Sequence, residues 1–165
     1  MKLEKYSMGI GDRFGRQGRA QLGAIAAAKD LGVTITPVWN KSHREHTIVD
    51  SRPADVRIEA DTAAKDLGWT GSYYVDADHV GLITSDLFIE SSDFFTLDVA
   101  DFIGQPAGTD AIDAFVARHR DLIGMVEIPG VAQPLHVQEN EARRIAAKFI
   151  NGISETGKIY RHIAG

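Results

Sequence analysis

Four short apolar runs in this chain each close on a dense polar cluster. Tyr6–Ile10 leads into Gly11-Asp12-Arg13-Phe14-Gly15, and Val33–Trp39 into Asn40-Lys41-Ser42-His43-Arg44-Glu45-His46. Tyr73–Val75 leads into Asp76-Ala77-Asp78-His79, and Phe94–Leu97 into Asp98-Val99-Ala100-Asp101. Between them the apolar period lengthens to that of a helix. Leu22, Ile25, Ala26 and Ala28 predict a helix over Gln17–Leu31, stopped at Gly32. Val56, Ala60, Ala63, Ala64 and Leu67 predict a second, opened by Pro53 and closed before Gly68.

The strand before the second cluster weakens at Pro37, and a polar loop is expected from its end to Arg52. The third strand reads as only three or four residues. Leu82–Phe88 fits a short helix or a turn equally well. Ile112, Phe115, Val116, His119 and Ile123 predict a third helix from about Ala111 to Ile123. Ile128-Pro129-Gly130-Val131 is a turn signal inside Met125–Val137, which predicts a hairpin laid on the outside of the sheet. A last helix begins near Gln138 or Glu139, with Ile145, Phe149, Ile153, Ile159 and Ile163 as its stripe.

Strands alternating with helices mean a parallel sheet with right-handed crossovers. Every polar cluster then sits at a strand C-terminus, the rim on which α/β proteins bind ligands. Four such units, with the sequence closing where a fifth strand is due, predict the first half of a TIM-type (β/α)8 barrel with a hairpin insertion. An open doubly wound sheet is the alternative. Residues 1–165 are expected to form a single α/β domain.

Composition narrows the function. Lys+Arg 18 against Asp+Glu 23 gives a formal charge of −5, with the basic residues scattered, which excludes a nucleic-acid surface. Cysteine is absent, and with it any disulfide frame, thiolate nucleophile or Cys-based metal site. No apolar stretch approaches the ~20 residues that span a bilayer, and the N-terminus has no signal-peptide core. A soluble cytoplasmic protein is expected.

The clusters supply the chemistry. Gly9-Ile10-Gly11-Asp12-Arg13-Phe14-Gly15 has the look of a dinucleotide fingerprint, but its spacing is G-x-G-x-x-x-G and strand 2 ends in Asn40 and Lys41 rather than an acid. A variant NADP site using Ser42 and Arg44 is the reductase reading. Glycines that permit a tight turn are the stronger one. Arg13 suits a carboxylate or phosphate, because its planar guanidinium donates two parallel hydrogen bonds. Lys41, His43, Glu45 and His46 lack the order of H-E-x-x-H, so a metalloprotease is excluded; a solvated loop competes with an acid–base cluster in which Lys41 stabilises an enolate or acts as a base. Strand alternation places Asp76 and Asp78 on one side, with His79 set by the following turn. Two carboxylates and an imidazole suit a divalent Mn, Zn or Fe ion, against the plainer alternative of a helix cap and a backbone-satisfied histidine. Asp98 extends the acidic rim. His119 reads as a core histidine, and His136 and His162 join no constellation.

The segments YSMGIGDRFG (6–15), PVWNKSHREH (37–46), VDADHV (75–80) and FFTLDVADFIG (94–104) resemble the tagaturonate epimerase family, and KIYRHI (158–163) is similar to it again. Members are longer barrel-type enzymes, so the resemblance covers their N-terminal part. It implies metal-dependent interconversion of the keto sugar acids tagaturonate and fructuronate. The two differ one carbon beyond the position that the ketone acidifies, so simple α-proton abstraction cannot interconvert them. Retro-aldol cleavage, rotation and re-addition can, and so can transient oxidation by a bound nicotinamide, which the glycine spacing disfavours. The resemblance further implies Asp76, Asp78 and His79 as metal ligands or their supports. Lys41, His43 and Glu45 become the acid–base groups, while Asp12, Arg13, Asn40, Ser42, Arg44 and Asp98 hold the carboxylate and hydroxyls. A non-catalytic half-barrel that binds sugar acids is the remaining alternative. Its open sheet edges favour pairing with a second copy or a complementing C-terminal half.

Overall fold

A computed structural model describes residues 3–165, and these divide into two compact units, one of residues 3–98 with 162–165 and one of residues 99–161. The first holds a four-stranded sheet of β1 (Ser7–Gly9), β2 (Thr36–Ser42), β3 (Tyr74–Val80) and β4 (Phe94–Leu97). All three pairings are parallel and the spatial order is the sequence order, β1-β2-β3-β4. That order decides between the two expected folds. A doubly wound sheet reverses strand order at its ligand crevice; this sheet has no reversal and is half of a TIM-type barrel.

One face of the sheet is covered by α1 (Gly18–Asp30) and α3 (Pro53–Asp66). Leu22 of α1, Trp39 of β2, Val75 of β3 and Val56, Ala60, Ala63 and Ala64 of α3 form the core with Ile10. The alanine row lets α3 lie close to both its neighbours, and the Trp39 ring meets Tyr73 edge-on at 5.9 Å. Pro53 opens α3 where its missing N–H is harmless. Leu67, expected in the stripe, is 38% exposed just past the helix end.

Two strand boundaries differ from the sequence expectation. Asn40, Lys41 and Ser42 belong to β2, and the polar stretch behind them folds into α2 (His43–Val49) rather than a loop. Seven residues are too few to nucleate a helix on propensity. A capping box starts it: the Ser42 hydroxyl accepts from the Glu45 N–H while the Glu45 carboxylate accepts from the Ser42 N–H. Asp50 ends it in the left-handed region at φ 51°. Likewise β3 runs seven residues, not three or four, and contains Asp76–His79. Paired on both sides, β3 tolerates polar residues that single-strand patterning reads as a loop. A short 3-10 turn at Ser85–Leu87 resolves the ambiguous Leu82–Phe88 segment.

The second unit holds α4 (Thr109–Arg118), the antiparallel hairpin of β5 (Gly124–Val126) and β6 (Leu135–Val137), and most of α5 (Glu139–Ala164). α4 ends earlier than expected, with His119 packed against Phe115 at 4.6 Å and a 3-10 turn at Arg120–Leu122. The buried residues of α5 are Ala146, Gly152, Glu155 and Ile159. The expected stripe is therefore corrected: Ile145, Phe149 and Ile153 are 47%, 39% and 69% exposed. Gly152 leaves room for Ile103, whose Cδ1 would lie 2.5 Å from an added Cβ. No helix among the described residues is long and apolar enough to cross a membrane.

Leu22 is wholly buried between α1, α3 and the sheet. Leu22→Ala is expected to destabilise the first unit by about 2–5 kcal/mol, read as a lowered urea midpoint with an unchanged slope.

Candidate functional site

Alternation sorts the end of β2. Trp39 and Lys41 face the helices, while Asn40 and Ser42 face the other side of the sheet, opposite Asp76 and Asp78 of β3. There an open cavity of about 670 Å³ is lined by Gly9, Gly11, Asn40, Ser42, Arg44, Glu45, Asp78, His79 and Asp98. Each of the four strand ends contributes to it.

Asn40 explains the glycines. A Cβ on Gly11 would lie 2.6 Å from the Asn40 backbone oxygen and 2.9 Å from its Oδ1, and one on Gly9 would lie 3.2 Å from Oδ1. The G-x-G at the end of β1 and just beyond it makes room for a neighbouring strand's amide, not for a pyrophosphate. Asn40 Oδ1 itself is buried without a partner, an acceptor whose desolvation a bound donor would offset.

A bulge explains how the adjacent residues Asp78 and His79 both reach the cavity. Against β4, Ala77 pairs with Phe95 and then Val80 with Leu97, three steps on β3 against two. The extra residue breaks alternation and re-aims the strand end. His79 takes up the strain at φ 55°, a region few non-glycine residues enter. Its Nδ1 lies 2.7 Å from Asp78 Oδ1, which leaves Nε2 as the outward nitrogen of an exposed ring.

Glu45 is fixed by its neighbours. The Ser42 N–H is the largest influence; with the Ser42 hydroxyl and the Arg13 guanidinium, 3.6 Å away, it holds the carboxyl below the usual range against the opposing effect of burial. Glu45 therefore stays ionised at neutral pH and ties Arg13 to the rim.

With this geometry in view, comparison with known proteins places the chain. The family model for tagaturonate epimerase, UxaE, matches residues 1–164. The chain belongs to the tagaturonate epimerase family. Three crystal structures of the fructuronate-tagaturonate epimerase UxaE from Cohnella laeviribosi, native and with one or two glycerols, share its fold. They are 20% identical to it, with TM-scores of 0.73, 0.72 and 0.74. The match covers 94% of this chain and 34% of theirs, so this chain spans about a third of their length. No curated protein sequence matches it.

Of the residues that the tagaturonate epimerase resemblance nominated, Asn40, Ser42, Arg44, Glu45, Asp78, His79 and Asp98 line the cavity. Asp12 does not. Its carboxylate accepts from the backbone N–H groups of Phe14, Arg16 and Gln17. Burial pushes its pKa up, but these donors outweigh that and hold it low, so Asp12 serves the entry to α1. Asp76 is buried, and both its oxygens accept from the Thr96 hydroxyl, at 3.0 and 2.8 Å; burial is the main cause that raises its pKa.

Asp76, Asp78 and His79 are thus not gathered into one donor set, and no group of three or more His, Asp or Glu side chains among the described residues is arranged to hold a metal ion. The Asp78–His79 pair does fit a smaller role. A carboxylate on Nδ1 that turns Nε2 outward is the usual support of a metal-binding histidine.

Lys41 and His43 also lie outside the cavity. Lys41 is 3% exposed on the helix-facing side, and its ammonium donates to Ser51 Oγ at 2.9 Å. Ser51 Oγ lies 2.9 Å from Nδ1 of His46, itself 3% exposed and edge-on to Phe88 at 5.8 Å. His43 and His46 border a separate cavity of about 550 Å³ with Ser51 and Glu90. Ser51 carried no sequence signal, since an isolated serine between two helices marks nothing by spacing.

Gly11→Ala is expected to lower stability by about 1–3 kcal/mol, because the Asn40 backbone cannot withdraw; a calorimetric melting profile checks it. Burial, reinforced by Lys41 and His43 and opposed by Asp55 and Glu45, lowers the His46 pKa to about 4. The unfolded chain binds this proton near pH 6.5, so the contribution is complete above that pH and is lost as pH falls toward 4. Unfolding midpoints across that window should fall more steeply for the native chain than for His46→Gln, and parallel profiles would contradict the assignment.

Proposed function

We propose that this chain carries one side of an active site that interconverts tagaturonate and fructuronate. The observation that supports it most directly is the cavity itself. In a member of this family, the C-terminal ends of all four strands converge on one space lined by an arginine, three carboxylates, an amide and a hydroxyl. That is the chemistry of a polyhydroxy acid: Arg44, with Arg13 tied to the rim by Glu45, for the substrate carboxylate, and Asn40, Ser42 and Asp98 for hydroxyls.

The epimerised carbon lies beyond the reach of α-proton abstraction, and retro-aldol cleavage is the route that this reading assigns, since the glycine spacing disfavours transient oxidation by a nicotinamide. A base removes the proton of the hydroxyl on that carbon, the adjacent C–C bond breaks to an aldehyde and an enediolate, and re-addition to the other aldehyde face inverts the centre. Asp98 and Glu45 are the carboxylates that face substrate hydroxyls in this scheme. Asn40 and Arg44 keep the two fragments from diffusing apart. A divalent cation, Mn, Zn or Fe, would be held through His79 Nε2 with Asp78 orienting the ring. When bound, such an ion supplies Lewis-acid polarisation of the substrate carbonyl. Lys41 and His43 are left out of this chemistry because they do not border the cavity. We place the protein in the cytoplasm, with β1 and β4 as open edges suited to a second copy or a complementing C-terminal half.

Calorimetric titration of the chain with tagaturonate and with neutral tagatose tests the site. Tagaturonate should bind the more tightly, and Arg44→Ala should weaken it on the order of tenfold while leaving tagatose unchanged. Equal affinity for the two sugars would overturn the carboxylate assignment. Fructuronate formation in the presence of Mn²⁺ or Zn²⁺, lowered about a hundredfold or more by Asp98→Asn, is the expected activity readout.

A further inference from the structure

α2 brings Arg44 and Glu45 to the cavity, yet it is only two turns long. Its N-terminus is fixed to β2 by the capping box. Its inward side carries one buried residue, His46. Lys41 of β2, Ser51 beyond the helix end and His46 within it form a buried chain, Nζ to Oγ to Nδ1, with both steps 2.9 Å. The Ser51 N–H also donates to the His46 carbonyl at 3.0 Å, so the chain closes on the helix terminus.

Proton counting orders the chain. An ammonium only donates, so Ser51 Oγ accepts from Lys41. The serine's own proton is then available to His46 Nδ1; in that arrangement the imidazole proton sits on Nε2, a buried nitrogen with no partner among the described residues. Each link polarises the next. Removing the hydroxyl leaves a buried ammonium and a buried imidazole nitrogen both unpaired, so the serine is worth more than one exposed hydrogen bond.

We propose that Lys41, Ser51 and His46 are positioning residues, a latch that holds α2 against the outer face of β2 and thereby sets Arg44 and Glu45 over the sugar-acid cavity. Lys41 acts through α2 and does not touch the substrate. The link from α2 to ligand affinity rests on the function proposed above; the latch itself does not.

Amide hydrogen exchange and imidazole ¹⁵N spectroscopy on the full chain, with tagaturonate titrated in parallel, separate the two. In the native chain His46 should show the neutral Nε2–H tautomer. Ser51→Ala should abolish that preference and raise the opening of residues 43–49 on the order of tenfold, with exchange in α1 and α3 unchanged. Ser51→Thr, which keeps the hydroxyl, should restore both. Tagaturonate affinity should fall with Ser51→Ala and return with Ser51→Thr. An Nδ1–H tautomer, unchanged exchange in α2, or a loss of protection spread over α1 and α3 would overturn the latch. A loosened α2 with native affinity for tagaturonate would overturn its connection to the site. If the native chain fails to bind tagaturonate, the functional reading falls, and exchange with the tautomer alone decides the latch.

Discussion

Burial of the two central parallel strands, β2 and β3, is the constraint on which the rest depends. A strand covered on two sides cannot send its polar residues to water, so each must find a partner above or below the sheet. β2 shows both solutions in consecutive residues. Asn40 and Ser42 are satisfied on the cavity side or left for a ligand, and Lys41 is satisfied on the helix side by Ser51. The division between groups facing substrate and groups holding the scaffold follows from the strand's two-residue period.

Much of this architecture was legible in the sequence. Apolar periodicity located α1 and α3, a short apolar run β4 and a turn signal the hairpin, and the polar clusters fell on one rim because parallel strands order their C-terminal ends that way. The alanine positions of α3 were readable as a buried face for the same reason. The errors cluster where tertiary pairing overrides local pattern. Asp76–His79 continue a strand because β2 and β4 pair with it on both sides, and neither partner is visible in that segment. Residues 43–49 look like a charged loop because most of their helical stability comes from the capping box and the anchorage of His46.

The site was legible as a location and less so as a set of roles. Residue type makes Lys41 an acid–base candidate alongside His43 and Glu45, yet register turns it away from the cavity. Asp12 has the composition of a ligand-binding residue and instead caps a turn. Gly9 and Gly11 have the look of a nucleotide motif, whereas their smallness answers to a single residue, Asn40, on the next strand. Spacing along the chain reports chemistry that is available; which side of a sheet it occupies is a matter of pairing.

The bulge near the end of β3 has a consequence for how such a rim diversifies. Regular strands give a cavity every second residue, so changing its chemistry means exchanging one side chain for another. An added residue gives the cavity two neighbours in succession, here a carboxylate and the imidazole that it orients. Insertion, rather than substitution, creates a ready-made pair at one stroke. Val80, the last residue of β3, pairs with β4 again, so the novelty stays local and the barrel scaffold is spared.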